Sequence, residues 1–119
     1  MSRYFFDTYA LVEIIKNNPN YVQYSDEVIT TSLLNLIELY YSILKDFNEE
    51  KAKMVYSKFK ESISEFSDDV IFEAMKFKLA NKNLSYVDCI GYSFALKNGL
   101  KFLTGDKEFK ESVNVEFVK

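Results

Sequence analysis

Four carboxylates occupy positions where a carboxylate could do chemistry. Phe5-Phe6-Asp7 and Phe102-Leu103-Thr104-Gly105-Asp106 each run a short apolar stretch into an aspartate. Glu38 interrupts Leu33-Leu34-Asn35-Leu36-Ile37-Glu38-Leu39-Tyr40-Tyr41, and Asp88 lies within Leu84-Ser85-Tyr86-Val87-Asp88-Cys89-Ile90-Gly91. Oxygen donors without histidine or cysteine partners select a hard divalent cation, Mg²⁺ or Mn²⁺. Carboxylates crowded together repel, and such an ion relieves the repulsion. It also activates water and stabilises charge on a phosphate. The chemistry is metal-assisted phosphodiester hydrolysis without a histidine.

Composition removes the main competitors. The 119 residues contain no histidine, which excludes histidine bases, Ser-His-Asp and Cys-His nucleophiles and histidine metal sites. One cysteine, Cys89, excludes a disulfide within the chain and fits a reducing cytoplasm. With a hydrophobic fraction of 48%, of which much is aromatic, the chain can build one sizeable core, so a single domain over residues 1–119 is expected. No run approaches the length of a membrane span, and the N-terminus lacks the apolar stretch of a signal peptide. The net charge of −3 gives no general attraction for nucleic acid. A polyanion would need a local rim, for which Lys97, Lys101, Lys107 and Lys110 are the candidates beside the last acid.

Each acid also has an ordinary structural reading. Asp7 can be a plain helix N-cap, and Asp106 a turn residue after glycine. Asp88 follows Ser85 by three residues, the spacing of a capping box. Glu38 has Leu34 and Tyr41 as helical neighbours, so its face reads as apolar and buried unless the side chain reaches solvent.

The elements that must carry these residues alternate between strand and helix. Strands are expected at Arg3–Phe6, Val28–Thr31, Lys101–Thr104 and Val113–Val118. Helices are expected at Thr8–Lys16, Ser32–Lys45 (apolar nearly all round), Asn48–Glu65, from Ser67 to about Ala80, and Tyr86–Lys97. Asn17-Asn18-Pro19-Asn20, Asn81-Lys82-Asn83 and Asn98-Gly99 are the breaks between them. This alternation predicts an α/β fold with a mainly parallel sheet and helices on both faces. Ligands bind beyond the carboxyl ends of such strands, where Asp7 and Asp106 fall.

At this point the residues resemble a known family. Phe5-Phe6-Asp7-Thr8-Tyr9-Ala10-Leu11, Leu36-Ile37-Glu38-Leu39, Leu84 to Ile90 and Leu103-Thr104-Gly105-Asp106-Lys107-Glu108-Phe109 are similar, in order and element type, to the acidic motifs of the PIN domain. The chain looks most like a VapC-type toxin ribonuclease. That resemblance implies a three-layer α/β/α sandwich with Asp7, Glu38, Asp88 and Asp106 binding Mg²⁺ or Mn²⁺ for RNA cleavage. It implies Thr104 as a hydroxyl bordering the metal pocket, a homodimer, and inhibition by a small antitoxin. Tyr9 departs from the small residue the family often has there; a phenol could narrow the pocket or stack on a base. Tyr9 and Lys107 join Thr104 as candidate substrate contacts.

Three other functions compete. A PIN-like domain could process RNA, or bind RNA or protein without cutting. A receiver-type signalling domain would have similar length and acids at strand ends. It normally needs two adjacent acids after its first strand, and here Thr8 follows Asp7.

Overall fold

The computed structural model describes residues 2–119. Three short strands, β1 (Tyr4–Phe6), β2 (Lys101–Thr104) and β3 (Val115–Phe117), form a parallel sheet in the order β1-β2-β3. Five helices surround it: α1 (Thr8–Ile15), α2 (Leu33–Asp46), α3 (Glu49–Phe59), α4 (Asp68–Ala80) and α5 (Tyr86–Lys97). Each helix starts on a polar cap: Asp7, Ser32, Asn48, Ser67 and Ser85 each accept a backbone N–H three residues on. A cap of this kind contributes about 1 kcal/mol and sets where the helix begins.

Alternation along the strands divides the interior in two. Phe6 and Leu103 point to one side of the sheet, into a cluster with Ala10, Leu11, Leu36, Leu39, Ile43, Val55 and Phe59. Phe5 and Phe102 point to the other, with Ala74, Cys89, Tyr92, Ala95 and Phe109. Helices α1, α2 and α3 therefore cover one face and α4 and α5 the other, giving the expected α/β/α sandwich.

Gly91 lets α5 lie directly on the sheet. A Cβ there would stand 2.8 Å from Phe5 Cε1 and 3.2 Å from Phe102 Cε1, and both rings are buried. Alanine would gain up to ~1 kcal/mol in helix propensity. Overfilling typically costs ~1–3 kcal/mol. We expect Gly91→Ala to lower stability by about 1 to 2 kcal/mol, read from the urea midpoint, because the overfilled contact outweighs the propensity gain.

Three elements differ from the sequence reading. The strand expected at Val28–Thr31 is reduced to two parallel bridges, Phe5 to Thr30 and Thr31 to Ile63. Val28 is exposed, so its β-branched side chain has no layer to pack on. The helix expected to run to Glu65 stops at Phe59, followed by a 3₁₀ turn at Lys60–Ser62. Ile63 pairs with Thr31 at the sheet margin, and that pairing competes with helix continuation. The last strand spans Val115–Phe117 rather than Val113–Val118, because Asn114 turns the chain at φ 61°. Among the described residues no helix is long and apolar enough to cross a membrane.

Candidate active site

The parallel register puts two aspartates at one end of the sheet. Phe6 pairs with Leu103, so Asp7 emerges beside Thr104, and its N–H donates to Leu103 O at 3.3 Å. Asp106 follows two residues beyond Thr104, where its own N–H donates to Thr104 Oγ1 at 3.0 Å. Helix α5 returns antiparallel to β2 and brings Asp88, in its first turn, to the same end.

The electrostatics record this convergence. Asp7 is 3% exposed. Burial pushes its carboxyl up to about 7, against hydrogen bonds from Thr104 and the Ala10 N–H, and the charges of Asp88 and Asp106 push it further. Asp88 is also raised, first by burial, then by Asp106 and Glu108. Asp7 thus lies in the field of both Asp88 and Asp106, and Asp88 in that of Asp106.

Glu38 arrives from the other layer. It is half-buried on α2, and its Oε1 accepts from Thr8 Oγ1 at 2.7 Å. The apolar face expected around it is not the core face. The buried stripe of α2 is Asn35, Leu36, Leu39 and Ile43, while Leu33, Ile37 and Tyr41 are exposed. Glu38 needs no buried counter-ion to be tolerated, because a hydroxyl already serves it.

The family profile of the PIN domain matches residues 4–113. The chain belongs to the PIN domain family. Comparison with curated protein sequences gives no significant match. Among solved structures, the PIN chain resembles Mycobacterium tuberculosis VapC20, a sarcin–ricin loop cleaving toxin, at TM-score 0.80 and 16% identity, covering 98% of this chain and 99% of that one. It also resembles a chain of a toxin–antitoxin complex from Klebsiella pneumoniae, at TM-score 0.74 and 22% identity over 97% and 96% of the two chains. A chain of VapBC2 from Rickettsia felis, bound to a DNA fragment from the promoter, gives TM-score 0.71 and 22% identity over 98% of both. At these identities the likeness is one of fold.

The donor set of this PIN site fits a hard divalent cation: it is all oxygen, and Asp7 is destabilised as an anion without a counter-charge. Among the described residues no three acids stand close enough to grip an ion as they lie. The reason is local. Asp7 Oδ1 caps Ala10 N, Asp88 Oδ2 accepts from Ser85 N, Asp106 Oδ1 accepts from Glu108 N, and Glu38 Oε1 is held by Thr8. The capping readings of Asp7 and Asp88 are therefore real, and they coexist with convergence.

The proposed basic rim is cut in half by the topology. Lys97 ends α5 and Lys101 begins β2, so both lie at the opposite end of the sheet from the acids. Lys97 pairs with Asp69 at 3.3 Å. Lys107 and Lys110 remain beside Asp106, and both are exposed. Tyr9 packs against Gly105, with the Lys119 ammonium 5.6 Å from its ring centre. Sequence reasoning passed over Thr8, Asn35, Glu108 and Lys119. Asn35 was detectable as a polar residue four before Leu39 in an apolar helix, and Glu108 as an acid two after Asp106.

Proposed function

We propose that this PIN domain, a single unit over residues 1–119, is a Mg²⁺- or Mn²⁺-dependent endoribonuclease and the toxin of a toxin–antitoxin pair. The observation that carries this reading is that Asp7 and Asp106 both leave the carboxyl ends of paired parallel strands, where buried Asp7 also feels the charge of Asp88. Asp7 and Asp106 at the strand ends, Asp88 on α5 and Glu38 on α2 would hold the metal. A bound divalent ion supplies a Lewis acid that lowers the pKa of water and neutralises phosphate charge.

The chain's own residues do the rest. Thr104 hydrogen-bonds Asp7 and the Asp106 N–H, so one hydroxyl spaces two of the acids. Lys107 and Lys110 attract the RNA backbone at an otherwise acidic end. Tyr9, half-buried against Gly105, offers an aromatic ring for a base. The Klebsiella and Mycobacterium neighbours, a chain of a toxin–antitoxin complex and a sarcin–ricin loop cleaving toxin, favour the toxin role.

Two partners, a small antitoxin and a second copy, would need two surfaces. Exposed apolar side chains occur on both outer layers, at Leu33, Ile37, Tyr41 and Leu44 of α2 and at Phe72 and Leu79 of α4. The reading also places the protein in the cytoplasm, where its RNA is.

The decisive experiment incubates purified chain with single-stranded RNA and Mn²⁺, with and without EDTA. Internal cleavage that EDTA abolishes is expected. Binding without cleavage at any Mn²⁺ concentration would overturn the nuclease reading in favour of a non-cutting RNA module.

A further inference from the structure

A chain of three side-chain hydrogen bonds crosses from α2 to α1 beneath the site. Ser32 Oγ donates to Asn35 Oδ1 at 2.6 Å. Asn35 Nδ2 donates to Thr8 Oγ1 at 3.1 Å, and Thr8 Oγ1 donates to Glu38 Oε1 at 2.7 Å. Asn35 is 2% exposed and Ser32 3%, so water does not substitute for these partners.

The direction of the chain is fixed by proton counting. A hydroxyl has one hydrogen to give. The 2.7 Å approach of Thr8 to Glu38 requires a hydrogen between the two oxygens, and a carboxylate brings none. Thr8 must therefore spend its hydrogen on Glu38 and accept from its other neighbour. That neighbour must present an N–H, which turns the Asn35 amide nitrogen towards Thr8 and its oxygen towards Ser32. Ser32 in turn donates to that oxygen while accepting the Asn35 backbone N–H at 3.3 Å. Flipping the Asn35 amide would aim two donors at Ser32 and leave Thr8 with one hydrogen between two acceptors, Glu38 and the Asn35 oxygen.

We propose that Ser32, Asn35 and Thr8 form a one-way positioning relay that occupies Oε1 of Glu38 and leaves Oε2 as the single oxygen Glu38 offers to the metal. The relay rests on the metal-site reading above. It also ties α2 to the residue next to Asp7, so the two acids from different layers keep one spacing. Thr31 strengthens the tie by donating to Phe6 O at 2.7 Å, one residue before Asp7. Asn35 and Thr8 are positioning residues. Neither needs to touch the ion.

The test is calorimetric titration of the purified protein with Mn²⁺ alone. Thr8→Val keeps the shape and removes the donor, and should weaken Mn²⁺ binding by about 10- to 100-fold, the usual range for outer partners of a metal site. Thr8→Ser restores a donor and should bind within about threefold of wild type, well inside that range. Asn35→Asp adds a second acceptor that competes for the Thr8 hydrogen, and should weaken binding at least as much as Thr8→Val. Thr8→Ala repeats the measurement should Val at this position fail to fold. A merely structural role would lower the melting temperature without changing Mn²⁺ affinity. Wild-type affinity in Thr8→Val, alongside lost binding in Asp7→Asn, would overturn the relay alone. Wild-type affinity in Asp7→Asn would overturn the metal site and the relay with it.

Discussion

Asp7→Asn protein is expected to lose RNA cleavage and yet to melt later than wild type at pH 8. The loss follows from removing a metal ligand and should be at least about 100-fold, measured with RNA at saturating Mn²⁺. The gain follows from burial. Asp7 is held at about 7 in the folded protein by desolvation, with the charges of Asp88 and Asp106 adding to it. In the unfolded chain its pKa is near 3.9. The folded state therefore binds the proton more tightly, and its extra stability is complete below about pH 4 and lost as pH rises through about 7. Above that, the ionised carboxylate costs at most about 4 kcal/mol, at ~1.4 kcal/mol per tenfold change in proton affinity. Asparagine carries no charge and can still accept from Ala10 N, so the helix cap survives. We expect metal-free Asp7→Asn to be more stable than wild type by about 2 to 4 kcal/mol at pH 8, and by only about a third of that at pH 5. Thermal melts at the two pH values, in EDTA, check this. Equal melting at pH 8 would mean that Asp7 is not a buried charge.

Gly105→Ala should damage both fold and site. A Cβ at position 105 would lie 2.3 Å from Tyr9 Cε1 and 2.3 Å from the Val118 carbonyl oxygen. That carbonyl cannot easily retreat: Tyr21 Oη donates to it at 2.6 Å, and the Val118 N–H donates to Thr104 O at 2.9 Å. Overfilling between two fixed walls is expected to cost about 2 to 4 kcal/mol, read from the urea midpoint. Gly105 joins Thr104 to Asp106, so the displacement should reach the acid and lower cleavage as well. The double variant Tyr9→Ala, Gly105→Ala should recover only part of the stability, because the carbonyl clash remains. Full recovery would show that the ring alone sets the constraint. The bulk of Tyr9 and the absence of a side chain at position 105 are thus one feature, a large residue accommodated by a small one.

The elements nearest the acids were the most legible in the sequence. Helix α5 announced itself through Ser85 at its start and Asn98-Gly99 at its end, and β2 through the apolar run before Thr104. Capping and strand alternation are local, so one chain's residues suffice to read them. Helix α2 was not readable in the same way. Its stripe of Leu33, Ile37 and Tyr41 is as apolar as its buried stripe, and yet it faces outward. Periodicity reports that a face is apolar and not what covers it, so Glu38 was assigned to the wrong face. The lysine rim failed for a topological reason. Lys97 and Lys101 are close in sequence to Asp106, but a turn from helix to parallel strand lies at the far end of the sheet. The Asn35–Thr8 contact joins residues 27 positions apart, and no local pattern encodes it.

The tapering of the sheet has a consequence for how the molecule behaves in company. On one side the ladder fades through Thr30 and Thr31 to Ile63, and on the other it ends in the three residues of β3. A foreign strand meets too few consecutive free amides and carbonyls on either margin to zip up against them. Most of the oily surface sits instead on helices, whose backbone groups are largely spent internally. Association through such surfaces is reversible side-chain contact, so the protein can be sticky towards chosen companions without seeding fibrils.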